Sequence, residues 1–205
     1  MNRISFGTLQ LSIAPTVYEP AEDSFLLATY ASSLSGGKKI LEVGCGSGIV
    51  SLAAAHADAS NSVLGVDLNP AAVKCAAENA KENGIKNAEF AESDLFAAVP
   101  SGSKFDAILF NPPYLPTTRE EKLALEEENL AYDGGESGLE TFCKFATQVS
   151  NYLAANGKAA IIATSLSDGI KKSLAELEQQ VGTVQILAEE KFFFEKIALI
   201  EATKR

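Results

Sequence analysis

The chain is poor in the residues that most often run nucleophilic and metal chemistry. In 205 residues it has one histidine, His56, and three cysteines, Cys45, Cys75 and Cys143. No Ser-His-Asp or Cys-His pattern is present, so activation of a nucleophile by an imidazole is not the expected chemistry. Three widely spaced cysteines argue against a disulfide framework and a zinc site, and for a reducing compartment; Cys45 reads as a small filler in a turn. Long apolar runs are also missing. Lys158 to Ala163 and Ile197 to Ile200 are far shorter than a membrane span, and Met1 to Ala14 shows no apolar block or cleavage pattern, so neither membrane insertion nor a signal peptide is expected.

A basic excess is missing as well. Lys and Arg number 17 against 27 Asp and Glu, a net charge of −10. Enzymes of nucleic acid usually display a basic footprint, because phosphate contacts supply most nonspecific affinity. The stretch Arg119-Glu120-Glu121-Lys122-Leu123-Ala124-Leu125-Glu126-Glu127-Glu128 is net acidic. Whether or not it is simply a solvated helix face, it repels a phosphate backbone. Nucleic acid is therefore disfavoured, and a protein with a basic surface fits better, although a basic partner subunit could offset the charge.

With 46% hydrophobic residues and no shift in composition, residues 1–205 read as one domain with a substantial core. Its most informative stretch is Asn111-Pro112-Pro113-Tyr114, which ends the apolar run Phe105 to Phe110, a buried strand by pattern. Residues before proline are held extended, and proline has no N–H. The segment is thus a stiff strip of acceptors, the Asn111 side-chain oxygen and the Pro112 carbonyl, beside the ring of Tyr114. A planar –NH2 group, with two N–H donors and a flat neighbour to stack, suits it. An amide or exocyclic amine nitrogen gains positive charge as it attacks an electrophile, and two fixed acceptors stabilise that charge without a titrating base. The plain alternative is a strand-ending turn.

Upstream, Lys39 to Val43 reads as a strand running into Gly44-Cys45-Gly46-Ser47-Gly48, and Ile49 to Ala57 as a helix. The order resembles a dinucleotide turn, but Ile49 holds the third glycine position, so a pyrophosphate fits poorly. A second strand, Ser62 to Val66, delivers Asp67, where a carboxylate can accept from both hydroxyls of an unphosphorylated ribose. A third strand around Glu89-Phe90-Ala91 leads to Asp94-Leu95, where Asp94 can accept from an adenine amine. Turn glycines and helix N-caps are the competing readings, with Asn69-Pro70 as a helix start.

Together these motifs resemble the class I S-adenosylmethionine methyltransferases, over nearly the whole chain. Glu42 to Gly48 looks like their first motif, Asp67 their ribose acid, Asp94-Leu95 their adenine motif, and Asn111-Pro112-Pro113-Tyr114 their amino-methylating signature. Val17-Tyr18-Glu19-Pro20-Ala21-Glu22-Asp23-Ser24-Phe25-Leu26-Leu27 is similar to the N-terminal motif of the HemK-like glutamine methyltransferases of the archaeal and eukaryotic branch. The resemblance implies an α/β, Rossmann-like domain with a mostly parallel seven-stranded sheet, helices on both faces and an antiparallel last strand. It implies S-adenosyl-L-methionine as cofactor, and methyl transfer to the glutamine amide of the Gly-Gly-Gln loop in a peptide chain release factor, in the cytoplasm. Cofactor contacts would be Ser24, Glu42, Gly44, Gly46, Asp67, Asp94, Leu95 and Asn111, with residues 1–38 as a covering segment and Glu22 and Asp23 as further candidates for the methionine end. Asn111, Pro112 and Tyr114 would be catalytic, with Pro113 completing the substrate strip. Locally, Pro20 also fits the first turn of a helix whose positive end Glu22 and Asp23 favour.

Only 38 residues precede the first expected sheet strand, whereas bacterial relatives carry a helical recognition domain there. Recognition would then come from elsewhere, and the resembling branch uses a small zinc-containing activator subunit along a sheet edge. The rivals are adenine-N6 or lysine methylation, a nicotinamide-dependent oxidoreductase, and a noncatalytic cofactor-binding scaffold. Further on, Tyr132-Asp133-Gly134-Gly135-Glu136-Ser137-Gly138 reads as a glycine-rich loop, Leu139 to Leu153 as a helix, Asn156-Gly157 as a break, Ala159 to Thr164 as a strand and Asp168 to Gln180 as a helix. A closing hairpin around Phe192-Phe193-Phe194-Glu195 would place its turn near the substrate mouth.

Overall fold

The computed structural model describes residues 2–114, 135, 137–192 and 195–205. The acidic stretch 119–128, Tyr132, Asp133, Gly134, Glu136, Phe193 and Phe194 lie outside the described residues. The chain opens with a hairpin that the sequence reading passed over: Asn2–Phe6 (β1) pairs antiparallel with Leu9–Ile13 (β2). Its period of two is plain in Leu9, Leu11 and Ile13, all buried, with Gln10 exposed between them. The two-residue turn uses Gly7 at φ 57. Helix α1 (Glu22–Ala31) follows, capped at Ala21, so Pro20 stands ahead of the first turn rather than in it.

The main sheet uses Lys39–Val43 (β3), Ser62–Asp67 (β4), Ala88–Glu92 (β5), Phe105–Phe110 (β6), Leu153–Thr164 (β7), Gly182–Lys191 (β8) and Lys196–Lys204 (β9), in the order β5-β4-β3-β6-β7-β9-β8. β5, β4, β3, β6 and β7 run parallel, and β9 lies antiparallel to both neighbours. The helices are α2 (Ile49–Ala57), α3 (Pro70–Glu82), α4 (Glu140–Val149) and α5 (Gly169–Gln180). This is the seven-stranded sheet expected, with the last strand antiparallel.

Side chains along the central strands alternate between two cores. Ile40, Ala107 and Leu109 face α1, α2 and α3, whereas Leu41, Ile108 and Phe110 face α4 and α5. Strands buried on both faces read as unbroken apolar runs, which is why β6 was legible. Two expected boundaries were wrong. The helix begun near Leu139 stops at Val149, because Leu153 is taken into β7 opposite Phe105. Asn156-Gly157 does not end an element either. It lies inside β7 at a shift in register, with Asn156 at φ 57, and a Cβ on Gly157 would stand 2.9 Å from the Phe105 carbonyl. A bulge absorbs these residues where the pattern suggested a break.

Two asparagines four apart, Asn79 on α3 and Asn83 at its C-cap, hold the hairpin by imitating a strand. Asn83 accepts from the Gln10 N–H at 2.9 Å and donates to the Gln10 carbonyl at 2.7 Å. Asn79, buried, accepts from the Ser12 N–H at 2.9 Å and donates to the carbonyls of Ser12 at 3.1 Å and Ser47 at 2.9 Å. One side chain therefore joins the hairpin to the glycine turn. Asn79→Ala is expected to lower stability by about 2–3 kcal/mol, since it strands buried backbone groups on both sides. Urea unfolding checks this through a lower midpoint at unchanged slope.

Candidate active site

β3 and β6 are parallel neighbours, but the chain leaves them on opposite sides of the sheet: β3 continues into α2, and the next strand after β6 is β7 on its far side. A crevice at the carboxyl ends is the geometric result. There lies a cavity of about 470 Å3, within the range of small-molecule sites.

Its floor is the turn after β3. Gly44, Gly46 and Gly48 have φ of 68, 52 and 87, left-handed values that side chains rarely adopt. Gly48 has a second reason to be glycine, since a Cβ there would stand 2.9 Å from the Ala76 Cβ and force α2 off α3. Glu42, at the base, is buried and accepts from both the backbone N–H and the hydroxyl of Ser51. Burial pushes its carboxyl up to about 8, against the Ser51 hydrogen bonds and with help from the charge of Asp67. Asp67 ends β4, accepting from the N–H of Gly46 at 2.8 Å and of Asn69 at 2.9 Å. Burial raises this carboxyl too, while those N–H groups resist the rise. Both oxygens are thereby aimed, each with capacity to accept once more.

The far wall is set by Ser93, a residue that sequence reading did not single out. Its hydroxyl donates to the Leu95 carbonyl at 2.9 Å and accepts from the Ala98 N–H at 2.9 Å. This tight turn holds Leu95 at φ 50 and presents Asp94 and Leu95 to the cavity.

Opposite stands the strip after β6. Asn111 donates from Nδ2 to Asp23 Oδ2 at 3.0 Å, while its Oδ1 is buried without a partner. Tyr114 donates its hydroxyl to the same Asp23 oxygen at 3.1 Å, and Tyr18 lies 3.2 Å from both oxygens. Asp23 Oδ1 also accepts from the Ser24 N–H at 2.6 Å. Segment 17–24 thus folds over the strip.

The tertiary structure brings together Ser24, Glu42, Gly44, Gly46, Asp67, Asp94, Leu95, Asn111, Pro112, Pro113 and Tyr114 around one cavity. One expectation needs correction. Glu22 is exposed and does not line the cavity, because α1 turns it outward. Asp23 lines it, but its carboxylate is engaged by protein donors rather than left open. Thr141, Lys144 and Glu195 also reach the cavity from the C-terminal half, with Glu195 accepting from the Thr164 hydroxyl at 2.6 Å. No motif marks them; the closing hairpin hinted only at the neighbourhood of Glu195. Phe192 is 37% exposed. Among the described residues no cluster fit to hold a metal occurs, and no helix is long and apolar enough to cross a membrane.

Residues 22–129, more than half of the chain, match the family described as Methyltransferase small domain. The chain belongs to this methyltransferase family. A Methanocaldococcus jannaschii protein provisionally named a protein N5-glutamine methyltransferase is 44% identical over 97% of this chain and 98% of its own length. Mouse methyltransferase HEMK2 is 34% identical over 69% of the chain and 68% of its own length. The chain spans about half the length of the bacterial release factor glutamine methyltransferases it matches, 54% for that of Rhodospirillum rubrum at 34% identity. Among solved structures, Mtq2 of the E. cuniculi Mtq2-Trm112 complex superposes with a TM-score of 0.70 at 23% identity, covering 93% of this chain and 99% of that one. A T. thermophilus 16S rRNA methyltransferase solved with AdoMet and guanosine gives 0.72 at 22% identity, covering 96% and 47%. At such identities the likeness shows the fold alone.

S-adenosylmethionine is the methyl donor of this enzyme family, and the residues present fit it. The left-handed glycine turn leaves room above the backbone, Asp67 and Asp94 offer acceptors for hydroxyl and amine groups, and Ser47 Oγ and Asn111 Oδ1 are buried polar atoms without a partner among the described residues. Buried unpaired polar atoms are uncommon, and a bound ligand is one way of satisfying them.

The raised carboxyl of Glu42 makes a pH test possible. A raised folded-state value contributes stability below the unfolded value of about 4.5 and loses it as pH climbs through about 8. Glu42→Gln keeps the shape and the acceptor for Ser51 but does not titrate. Relative to this variant, the ligand-free wild type is expected to lose roughly 1 kcal/mol per pH unit between those values and then level off. Urea unfolding at pH 5, 7 and 9 measures it.

Proposed function

We propose that this methyltransferase modifies the side-chain amide nitrogen of glutamine in the Gly-Gly-Gln loop of a peptide chain release factor, and so acts in translation termination in the cytoplasm. The observation that carries the reading is the buried, unpartnered Oδ1 of Asn111 at the cavity wall, with the Nδ2 of the same amide tied away. A primary amide needs acceptors for its two hydrogens while its nitrogen faces the methyl group. Asn111 Oδ1 would accept one hydrogen and the Pro112 carbonyl the other, with Tyr114 and Pro113 walling the pocket. When bound, S-adenosylmethionine supplies an electrophilic methyl on sulfonium. As the nitrogen–carbon bond formed and the sulfur–methyl bond broke, with its electron pair going to sulfur and S-adenosylhomocysteine leaving, positive charge would grow on the amide nitrogen, and the fixed acceptors would stabilise it by about 3 kcal/mol per group. One N–H proton then passes to water.

Asp67 would hold the ribose, Asp94 and Leu95 the adenine, Gly44 and Gly46 the backbone approach, and Ser24 and Glu42 the methionine end. The name of the M. jannaschii relative and those of the bacterial relatives support the glutamine, and the net charge of −10 supports a basic protein surface over nucleic acid. The fold is neutral on that choice, since an rRNA methyltransferase shares it. The Mtq2-Trm112 complex, responsible for methylation of eRF1, supports a partner subunit for this chain; that this subunit would be small and zinc-binding is part of the proposal.

Two substitutions separate the roles. Asp67→Ala is expected to weaken S-adenosylhomocysteine binding by about 2 kcal/mol, because two hydroxyls lose a charged acceptor. Calorimetry measures this loss directly, and unchanged affinity would remove Asp67 from the cofactor site. Asn111→Ala is expected to leave that affinity nearly intact and to lower turnover roughly 100-fold. Mass spectrometry of a release factor incubated with labelled cofactor and the partner subunit provides the readout. Methylation of adenine-containing DNA faster than of the Gly-Gly-Gln loop, at equal moderate salt, would replace the glutamine reading with the adenine one.

A further inference from the structure

We propose that Asp23 is a positioning residue that decides which end of the Asn111 amide faces the substrate. The inference rests on the amide-binding reading of the strip. The two ends of an asparagine amide have nearly the same shape and opposite hydrogen-bonding character. With oxygen toward the cavity the strip accepts from a substrate –NH2. With nitrogen toward the cavity, donor would meet donor.

Nothing in the stiffness of the proline pair chooses between these ends; the contacts of Asp23 do. Its Oδ1 is anchored by the backbone N–H of Ser24 at 2.6 Å, a donor that cannot rotate away. That leaves Oδ2 for Asn111 Nδ2 at 3.0 Å and the Tyr114 hydroxyl at 3.1 Å, with the Tyr18 hydroxyl 3.2 Å from each oxygen. A carboxylate accepts and does not donate, so only the NH2 end of Asn111 can face it. Asn111 Oδ1 is consequently turned away and left without a protein partner. Asp23 is itself 2% exposed, held in α1 by the fold. Because Asp23 and Asn111 lie 88 residues apart, the contact also couples closure of the N-terminal segment to the orientation of the strip.

Asp23→Asn keeps the shape and reverses one end. The new oxygen stays on the Ser24 N–H, which places the new NH2 at the position of Oδ2, opposite the NH2 of Asn111. Asn111 then turns its own amide over to accept, and offers NH2 to the cavity. Turnover on release factor is expected to fall about 100-fold, as far as in Asn111→Ala, with S-adenosylhomocysteine affinity within about threefold of wild type. Adding Asp23→Asn to Asn111→Ala should cause no further loss, because no amide remains to be oriented; a role confined to stability would instead add its own effect.

Near-normal turnover of Asp23→Asn, alongside a deficient Asn111→Ala, overturns the inference. So does a large loss of S-adenosylhomocysteine affinity, which would make Asp23 a direct cofactor contact. If Asn111→Ala itself turned over normally, the reading of the strip would have failed instead. A measurement on the wild type does not depend on any variant folding. Nuclear magnetic resonance of the Asn111 side-chain amide should show an NH2 shielded from exchange with water, and fast exchange would place it in the open cavity and overturn the proposal.

Discussion

The register of one strand pair underlies everything at the site. β3 and β6 run side by side with Val43 opposite Phe110, so the residues that follow, Gly44 and Asn111, emerge next to each other at the same edge. A Cβ on Gly44 would sit 3.7 Å from the Phe110 ring and 4.0 Å from the Asn111 carbonyl. The glycine turn and the Asn111 strip thus leave the same end of one hydrogen-bonded ladder, and a one-residue slip in that ladder would turn every side chain of β6 to the other face. Both faces are filled with apolar side chains, which makes the register hard to lose.

Buried carboxylates and amides then place functional groups on that frame. Asp67, Ser93 and Asn79 each fasten a loop by accepting from or donating to backbone; Ser93 does so within its own turn, whereas Asp67 and Asn79 join segments that are distant in sequence. Glu201, in the middle of β9, works the same way toward the opposite edge of the sheet. It accepts from Tyr30 of α1 at 2.7 Å and from Lys158 and Gln185 at 3.0 Å each. Such networks favour one arrangement because a half-satisfied buried group is costly. Among the described residues, Ser47 Oγ and Asn111 Oδ1 are buried without a partner, and both residues line the cavity, where a ligand rather than the protein can complete them.

The pattern of what was legible follows from the range of the interactions. Strands buried on both faces, glycine turns and proline-stiffened segments carry their reasons within a few residues, so β3, β4, β6, α2 and the strip could be read directly. The β1–β2 hairpin was also legible in its alternation of Leu9, Leu11 and Ile13, although it is too short for its pattern to stand out from the surrounding polar residues. The Asn156-Gly157 bulge could not be read, because those letters suit a break as well as a bulge, and only the pairing of β7 with β6 selects between them. Thr141, Lys144 and Glu195 carried no motif, since their place at the cavity comes from the docking of α4 and the turn of the closing hairpin.

The sequence by itself determined the order of the elements, the acceptor strip, the glycine turn and the acidic residues at strand ends, because each depends on local backbone chemistry and on a hydrophobic period. Only the tertiary structure decided how those pieces face one another: that Glu22 turns away while its neighbour Asp23 turns in, that Asp23 meets Asn111 across 88 residues, and that the Asn111 oxygen is buried without a partner among the described residues. The orientation of an amide is set by its partners, and no feature of the chain near Asn111 names them.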